Sequence, residues 1–339
     1  MPEEDSCKLS ALILAGGLGT RLRPVTYAIP KPLIPAAGAP ILYHVLDLLP
    51  PQVGRATLAG GYKIDLIRDF LRRNPYRIPV EVVEEREPLG TGGAMRHAGG
   101  SATDPFFLLN GDVVAGLDLE EMLRFHMDRD AFGTMTLFEV DDPEPFGVAR
   151  LDGQGRILEF VEKPPRATAP SRWINAGVSL WRREILEVIP DRPGLVSFER
   201  EAVPKVLGRG IYGFPFRTFW EDGGTPTGLL RAQRLLFDHP RTGRRRPRDH
   251  LAGATVIPPV AIGPGTRGEG ATVGRYVTLG RDVELGPKSR VEDSILLDRV
   301  TVGPGATVRG CILGEAVEVP AGVTWEGRCE ARPETIPQD

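Results

Sequence analysis

Between Leu12 and Pro40 the chain reads LILAGGLGTRLRPVTYAIPKPLIPAAGAP. An apolar run enters a loop holding Gly16, Gly17 and Gly19, whose missing side chains let backbone N–H groups come close to an anion. Arg21 and Lys31 bring two cations to the same strand end, so the chemistry these residues suit is that of phosphates. The spacing is neither GxGxxG nor GxxxxGK[ST], and the dinucleotide and P-loop readings fall back. Two acids stand in comparable places: Asp112 closes the run Phe106–Leu109 after Asn110-Gly111, and Asp222 follows Thr218–Trp220. Carboxylates carried to one sheet rim can hold a Mg²⁺ that bridges phosphate oxygens. Taken singly, an Asp in such a position more commonly caps a helix.

Such residues need a frame. From Ser10 to about Phe237, short β-branched or Leu-rich runs alternate with longer amphipathic stretches, the pattern of βαβ units around a mainly parallel sheet. Strands are expected at Ala11–Leu14, Ala56–Ala59, Val80–Val83 and Phe106–Leu109, with helices at Ile41–Leu49, Lys63–Arg73, Gly92–Ala98 and Leu119–Asp128. In an open α/β sheet ligands sit outside the carboxyl ends of the strands, where the Gly, Asn and Asp residues cluster here. Gly147–Leu151 and Ile157–Val161 flank Asp152-Gly153-Gln154-Gly155 and predict a hairpin in a small inserted lobe. A helix over Phe198–Leu207, a strand at Thr218–Trp220 and a helix over Pro226–Leu236 complete the domain.

Asp238–His250 follows, with five arginines, two prolines and no apolar face, and reads as a solvated linker. Beyond it Val273, Leu279, Leu285, Val291 and Leu297 recur every six residues, as do the pairs Val302/Val308 and Leu313/Val319. Glycine follows several of them. A six-residue apolar period fits neither helix nor hairpin but fits a β-helix, and this run resembles the hexapeptide repeats of left-handed β-helices. Slips at Gly268–Ala271 and near Thr301 predict three or four coils. The domain boundaries expected are 1–237, a basic linker 238–252, a β-helix 253–325 and a tail 326–339.

The 339 residues carry 42 Lys plus Arg against 45 Asp plus Glu. A net charge of −3 gives no general attraction to nucleic acid or acidic lipid, so phosphate binding must come from a local cluster. Cys7, Cys311 and Cys329 offer neither a CxxC pair nor zinc-ligand spacing, which suits a reducing compartment. The acidic MPEEDSCKLS and the absence of an apolar run near 18 residues predict no secretory signal and no membrane span. The expectation is a cytoplasmic protein that meets neither nucleic acid nor membrane. His44, His97, His126, His239 and His250 lack ligand spacing and are read as structural.

GGLGTRL…PKPLIP resembles the nucleotide-binding signature of the sugar-1-phosphate nucleotidylyltransferases. The likeness continues in order through Glu87-Pro88-Leu89-Gly90-Thr91-Gly92-Gly93-Ala94, Asn110-Gly111-Asp112, Val161-Glu162-Lys163-Pro164, Asn175-Ala176-Gly177, Ser197-Phe198-Glu199 and Trp220-Glu221-Asp222-Gly223-Gly224-Thr225-Pro226, covering nearly all of residues 10–235. The resemblance implies a Rossmann-like nucleotidyltransferase domain of α/β class followed by the β-helix, joining a nucleoside triphosphate to a sugar 1-phosphate with Mg²⁺ and releasing pyrophosphate. PLGTGGA and the trailing repeats look most like the guanylyltransferases for mannose 1-phosphate and the related ones for manno-heptose 1-phosphate. Carried over by residue, Leu14, Ala15, Gly16, Gly17, Gly19, Thr20, Gly90 and Thr91 would contact the nucleotide. Arg21 would steady the pyrophosphate and Lys31 the α-phosphate, with Asp112 and Asp222 on the metal. Glu162 and Asn175 would grip the sugar, Lys163 its phosphate, and Gly177 would allow close approach of backbone. Gly223 departs from the family, where an apolar residue or Thr usually follows the metal Asp, and this bears on metal affinity.

Uridylyl- and thymidylyltransferases for glucose 1-phosphate share most of these blocks. A sugar-nucleotide-sensing regulatory subunit would lose the charged set, which is retained here. Residues 251–339 contain no histidine to serve an acetyltransferase. Every residue assigned to chemistry precedes Thr225, so the β-helix is expected to serve homo-oligomer assembly and stability.

Overall fold

The computed structural model describes residues 8–240 and 249–336. Cys7, the Arg241–Arg248 stretch of the basic linker and the last three residues of the tail lie outside the described residues. By packing, the chain forms two compact units that do not follow chain order. One comprises residues up to Gly17 with Val45–Trp220, the other Leu18–His44 with Glu221 onward.

The first unit is built on a nine-stranded mixed sheet. Leu9–Leu14 lies at its parallel centre between Val53–Gly60 and Phe106–Asn110, with Val80–Glu84 beyond Val53–Gly60. Its four middle residues are all buried, as a strand covered on both faces requires. Leu14 pairs with Ala59 and Asn110, and Gly60 with Glu84, which aligns the carboxyl ends of all four strands on one rim. Helices Ile64–Arg73 and Gly90–Ala98 provide crossovers, and Leu119–Asp128 begins where expected because Asp118 accepts the Glu120 and Glu121 N–H groups at 3.0 and 2.9 Å.

Three strands of this sheet have no counterpart among those expected from the sequence: Gly133–Glu139, Trp173–Trp181 and Ile211–Pro215. Trp173–Trp181 runs antiparallel to both Phe106–Asn110 and Gly133–Glu139, so the sheet is parallel on one side and mixed on the other. Its register slips between Asn175 and Ser179, where Gly177 has φ +81°. The hairpin Gly147–Leu151/Ile157–Glu162 forms as expected. Two expected helices are shorter. The first ends at Leu46 because Leu49 precedes Pro50 and is pushed out of helical geometry. Phe198–Leu207 breaks at Ala202 into Phe198–Glu201 and Val203–Val206, since Pro204 cannot donate to the preceding turn. The strand expected at Thr218–Trp220 lies at Trp220–Asp222.

The second unit holds the parallel β-helix. Two of its faces stack five strands each, Thr255–Val256 to Thr324–Glu326 and Val260–Ile262 to Cys329–Glu330, and the third stacks three. Five rungs exceed the three or four expected, because the sequence slips are absorbed at corners without ending the ladder: Thr272 pairs with Arg290, and Arg290 with Thr307. Corners take their positive φ from residues such as Tyr276, Asp282, Lys288 and Arg299. The glycines after the apolar positions serve a different need: a Cβ on Gly286 would stand 2.5 Å from Pro304 N of the next coil. The interior is a column of Val, Leu and Ile side chains. Packed with it are helix Pro226–Asp238, capped by Thr225 at Gly228 N–H (3.0 Å), and the segment Leu18–His44. No helix among the described residues is long and apolar enough to cross a membrane.

Candidate active site

On the rim of the first unit, Ala15 N–H donates to Ala59 O at 2.7 Å and Gly111 N–H to Leu14 O at 2.8 Å, so the main chain turns sharply beyond both central strands. Asp112 follows immediately, half-buried. Gly17 faces open space, whereas a Cβ on Gly16 would lie 2.8 Å from a carboxylate oxygen of Glu85. Glu85 extends the strand Val80–Glu84 by one residue and is only 8% exposed. Burial pushes its pKa up, a backbone hydrogen bond from Leu89 acting against this, and Oε1 has no hydrogen-bond partner. Sequence reasoning misses Glu85. The signal available was a third acid in Glu84-Glu85-Arg86-Glu87 placed where a strand ends on the ligand rim.

Gly90 opens its helix with φ +74°, and a Cβ there would stand 2.5 Å from Val196 O. Thr91 Oγ1 donates to Glu199 Oε2 at 2.6 Å and accepts Phe198 N–H at 2.9 Å. The Thr91 hydroxyl is thus committed to the 196–199 segment. Glu162 closes the hairpin strand with Lys163 Nζ 3.9 Å from its Oε1. Burial raises the Glu162 pKa, and the Glu199 charge raises it further. Asn175 Oδ1 accepts Gly177 N–H at 3.1 Å, and a Cβ on Gly177 would meet Asn110 Nδ2 at 2.8 Å. Trp220 Nε1 donates to Ala176 O at 2.9 Å, pinning the same bend. The strand Trp173–Trp181, the hairpin and Ser197–Glu201 therefore bring Thr91, Glu162, Lys163, Asn175, Gly177 and Glu199 into one framework of the first unit.

The second unit gathers the remaining charges. Gly19 has φ +63°, its carbonyl accepts Thr26 Oγ1 at 2.9 Å, and Thr20–Leu22 forms the 3₁₀ turn that carries Arg21. Asp222 receives Arg21 at 3.6 Å and Lys31 at 4.0 Å. The Lys31 side chain is 10% exposed and that of Arg21 61%. Gly224 N–H donates to Asp222 Oδ1 at 2.8 Å, and a Cβ on Gly224 would strike the Arg21 guanidinium. Gly224 is a second residue whose role sequence reasoning misses. Gly223 is buried in the same turn. Arg23 lies exposed over the Tyr27 ring, 4.8 Å from its centroid, as a surface residue would.

Among the described residues no group of three or more His, Cys, Asp and Glu side chains forms a metal cage. Asp112 stands in the first unit and Asp222 in the second, and each is a carboxylate of the kind that Mg²⁺ takes singly or in pairs, with substrate phosphates and waters completing its shell. His44 donates from Nε2 to Ala36 O at 2.8 Å, and His126 is bonded to Thr134 with burial lowering its pKa to about 4, so both serve structure.

Residues 10–239 match the nucleotidyl transferase family model and residues 256–330 the GMPPB C-terminal domain model. Mannose-1-phosphate guanylyltransferase of Mycobacterium tuberculosis is 34% identical over 89% of this chain and 83% of its own length. The chain belongs to the sugar-1-phosphate nucleotidylyltransferase family. The catalytic subunit beta of mannose-1-phosphate guanylyltransferase from Danio rerio is 33% identical over 94% of this chain and 89% of its own. Among solved structures, HddC from Yersinia pseudotuberculosis superimposes with TM-score 0.57 at 33% identity over 67% of this chain and 98% of HddC. The same protein complexed with GMP-PN gives TM-score 0.56 at 32% identity. The two family models together extend across the sheet, the signature segment and the repeats, the parts expected of a nucleotidylyltransferase carrying a β-helix.

Proposed function

We propose that this nucleotidylyltransferase transfers guanylyl from GTP to mannose 1-phosphate, releasing pyrophosphate. The observation that carries the choice of base is Glu85: a buried carboxylate with one unpartnered oxygen, set against Gly16 of the glycine loop. Guanine offers two adjacent donors, N1–H and the N2 amino group, on its pairing edge, and a carboxylate accepts both. Uracil and thymine offer one N–H flanked by two carbonyls, which a carboxylate repels. A buried acceptor without a partner is costly, and a base that supplies donors removes that cost. The sugar follows from the mannose-1-phosphate guanylyltransferases to which the chain is similar over most of its length.

In this reading the sugar-phosphate oxygen attacks the α-phosphorus in line with departing pyrophosphate, and alignment with charge neutralisation supplies most of the rate. Arg21 holds the leaving pyrophosphate and Lys31 the α-phosphate, while Glu162 and Asn175 bind sugar hydroxyls and Lys163 the sugar phosphate. Leu14, Ala15, Gly16, Gly17, Gly19, Thr20, Gly90 and Thr91 line the nucleotide path. Asp112 and Asp222 would hold Mg²⁺, which neutralises phosphate charge when bound. Arg21 and Lys31 balance the charge of Asp222 within the second unit. A homo-oligomer in the cytoplasm completes the proposal, and the free Cys311 and Cys329 are compatible with that compartment.

A matrix of nucleoside triphosphates against sugar 1-phosphates, read as pyrophosphate release with and without Mg²⁺, tests this. GTP with mannose 1-phosphate should be the preferred pair. Equal or faster turnover of UTP or dTTP with glucose 1-phosphate would overturn the choice of substrates.

A further inference from the structure

Gln233 is completely buried and uses its side-chain amide in full. Nε2 donates to Tyr276 O at 2.8 Å and to Ser294 O at 3.3 Å, while Oε1 accepts Thr278 Oγ1 at 2.6 Å and the Ala37 N–H at 3.4 Å. Two carbonyls on one side and two donors on the other allow a single orientation of the amide.

The partners come from three segments of the second unit. Tyr276 and Thr278 lie on one β-helix coil and Ser294 on the next, where Thr278 pairs with Ile295. Ala37 lies in the turn between Pro35–Ala36 and Ala39–Pro40, with φ +47°, followed by Gly38 at φ +83°. A left-handed alanine is strained, and the hydrogen bond to Gln233 helps hold it there. Two hydrogen bonds tie that ribbon to Lys31: Ile41 N–H donates to Ile34 O at 3.0 Å, and Ile34 N–H to Lys31 O at 3.0 Å. Gln233 itself rides on helix Pro226–Asp238, whose N-terminal turn begins just after Asp222. The same helix is tied to the repeats by Arg234 on Asp293 (Nε to Oδ1 2.6 Å) and by Tyr276 OH on Asp238 (2.9 Å). Nearer the signature loop, Cys329 Sγ of the last rung approaches Leu22 O at 3.6 Å, one residue from Arg21.

We propose that Gln233 is a positioning residue for nucleotidyl transfer: through its amide, two coils of the β-helix set the place of the Lys31 segment against Asp222. The β-helix is then part of the catalytic frame as well as any assembly surface, which goes beyond the role expected from the order of residues along the chain. The proposal rests on nucleotidyl transfer but not on the identity of base or sugar.

The test is a double-mutant cycle on kcat in the full chain, using whichever substrate pair turns over fastest. A preferred pair other than GTP with mannose 1-phosphate would defeat the substrate reading and leave this test intact. Gln233→Met keeps the volume and removes the amide. Displacing a charged group within an aligned site costs on the order of 10-fold or more in rate, so kcat should fall by about that much, with KM for the triphosphate within about twofold. In a Lys31→Ala background the same change should alter kcat less than about twofold, because the group it positions is gone. A purely structural role predicts equal losses in both backgrounds, and that result, or a wild-type kcat in Gln233→Met, overturns the proposal. Should Gln233→Met fail to fold, Thr278→Val, which removes only the hydroxyl donor to Oε1, goes through the same cycle with the same criteria.

Discussion

The Thr91 hydroxyl donates to the Glu199 carboxylate at 2.6 Å across 108 residues of chain. This one bond joins the PLGTGGA block to the Ser197-Phe198-Glu199 block. Because the Glu199 charge also raises the Glu162 pKa, Thr91 and Glu199 couple residues assigned to nucleotide and to sugar. Glu162 accepts sugar hydroxyls most strongly when ionised. Removing the Glu199 charge by Glu199→Gln should therefore lower the Glu162 pKa and move the acid limb of the kcat/KM profile for sugar 1-phosphate to lower pH. An acid limb at the wild-type position, or one moved upward, would show that Glu162 does not control it.

Glu85 gives two linked expectations. Glu85→Gln replaces a pure acceptor by an acceptor beside a donor, which suits uracil or thymine better than guanine. Leaving a polar edge mismatched in a buried site costs on the order of 10²-fold or more, so kcat/KM for GTP should fall by about that factor while the UTP/GTP ratio rises. A steady-state comparison of the three triphosphates checks this.

The same residue carries a pH signature in stability. Burial raises the folded pKa of Glu85 above its unfolded value of roughly 4.3, so between the two the native state holds the extra proton. Stability should fall as pH rises through that window, since the unfolded chain gives up its proton first. In Glu85→Gln this component should vanish. Thermal unfolding across the acid range, compared between the two proteins, measures it.

Much of this architecture is legible in the sequence, and what is not has physical reasons. Ala11–Leu14 and Phe106–Leu109 stand out because strands buried on both faces read as unbroken apolar runs, whereas the edge strand at Val80–Val83, with Glu81 exposed, stands out by its β-branched valines. Trp173–Trp181 is hidden because Asn175 and Gly177, the residues that form its bend, interrupt the strand pattern. Glu199 sits in a recognisable block and Glu85 two residues before one, yet only the fold shows that Glu85 keeps an unpartnered oxygen and that Glu199 is spent on Thr91. The membership of Leu18–His44 in the β-helix unit is the least legible feature: it rests on contacts such as Cys329 with Leu22, 307 residues apart.

Asp112→Asn and Asp222→Asn should each cost on the order of 10²-fold in turnover while leaving the fold intact, since loss of one fixed electrostatic partner has that effect. Asp222→Asn also leaves Arg21 and Lys31 without the carboxylate between them. Titrating Mg²⁺ against initial rate distinguishes lost metal affinity from lost alignment. Near-normal rates in either variant at limiting Mg²⁺ would contradict a metal held by both carboxylates.

The stacked glycines of the β-helix yield a prediction about stability that bears on activity. A Cβ at Gly286 meets only backbone, with Pro304 N at 2.5 Å and Gly303 C at 2.9 Å, so the neighbouring coil must move to admit it. Overpacking of this kind costs about 1–3 kcal/mol, and Gly286→Ala should lower the unfolding midpoint accordingly. Gly153, in the hairpin turn with no atom within 4 Å of the place a Cβ would take, is the control: Gly153→Ala should stay within about 0.5 kcal/mol of wild type. Coil 284–286 lies in the unit that also holds Arg21, Lys31 and Asp222. Gly286→Ala should therefore lose turnover at a temperature below the one at which Gly153→Ala does, in parallel with its unfolding midpoint. Loss of activity at the same temperature in both, despite different midpoints, would mean that the charged cluster holds its shape without the coil stack.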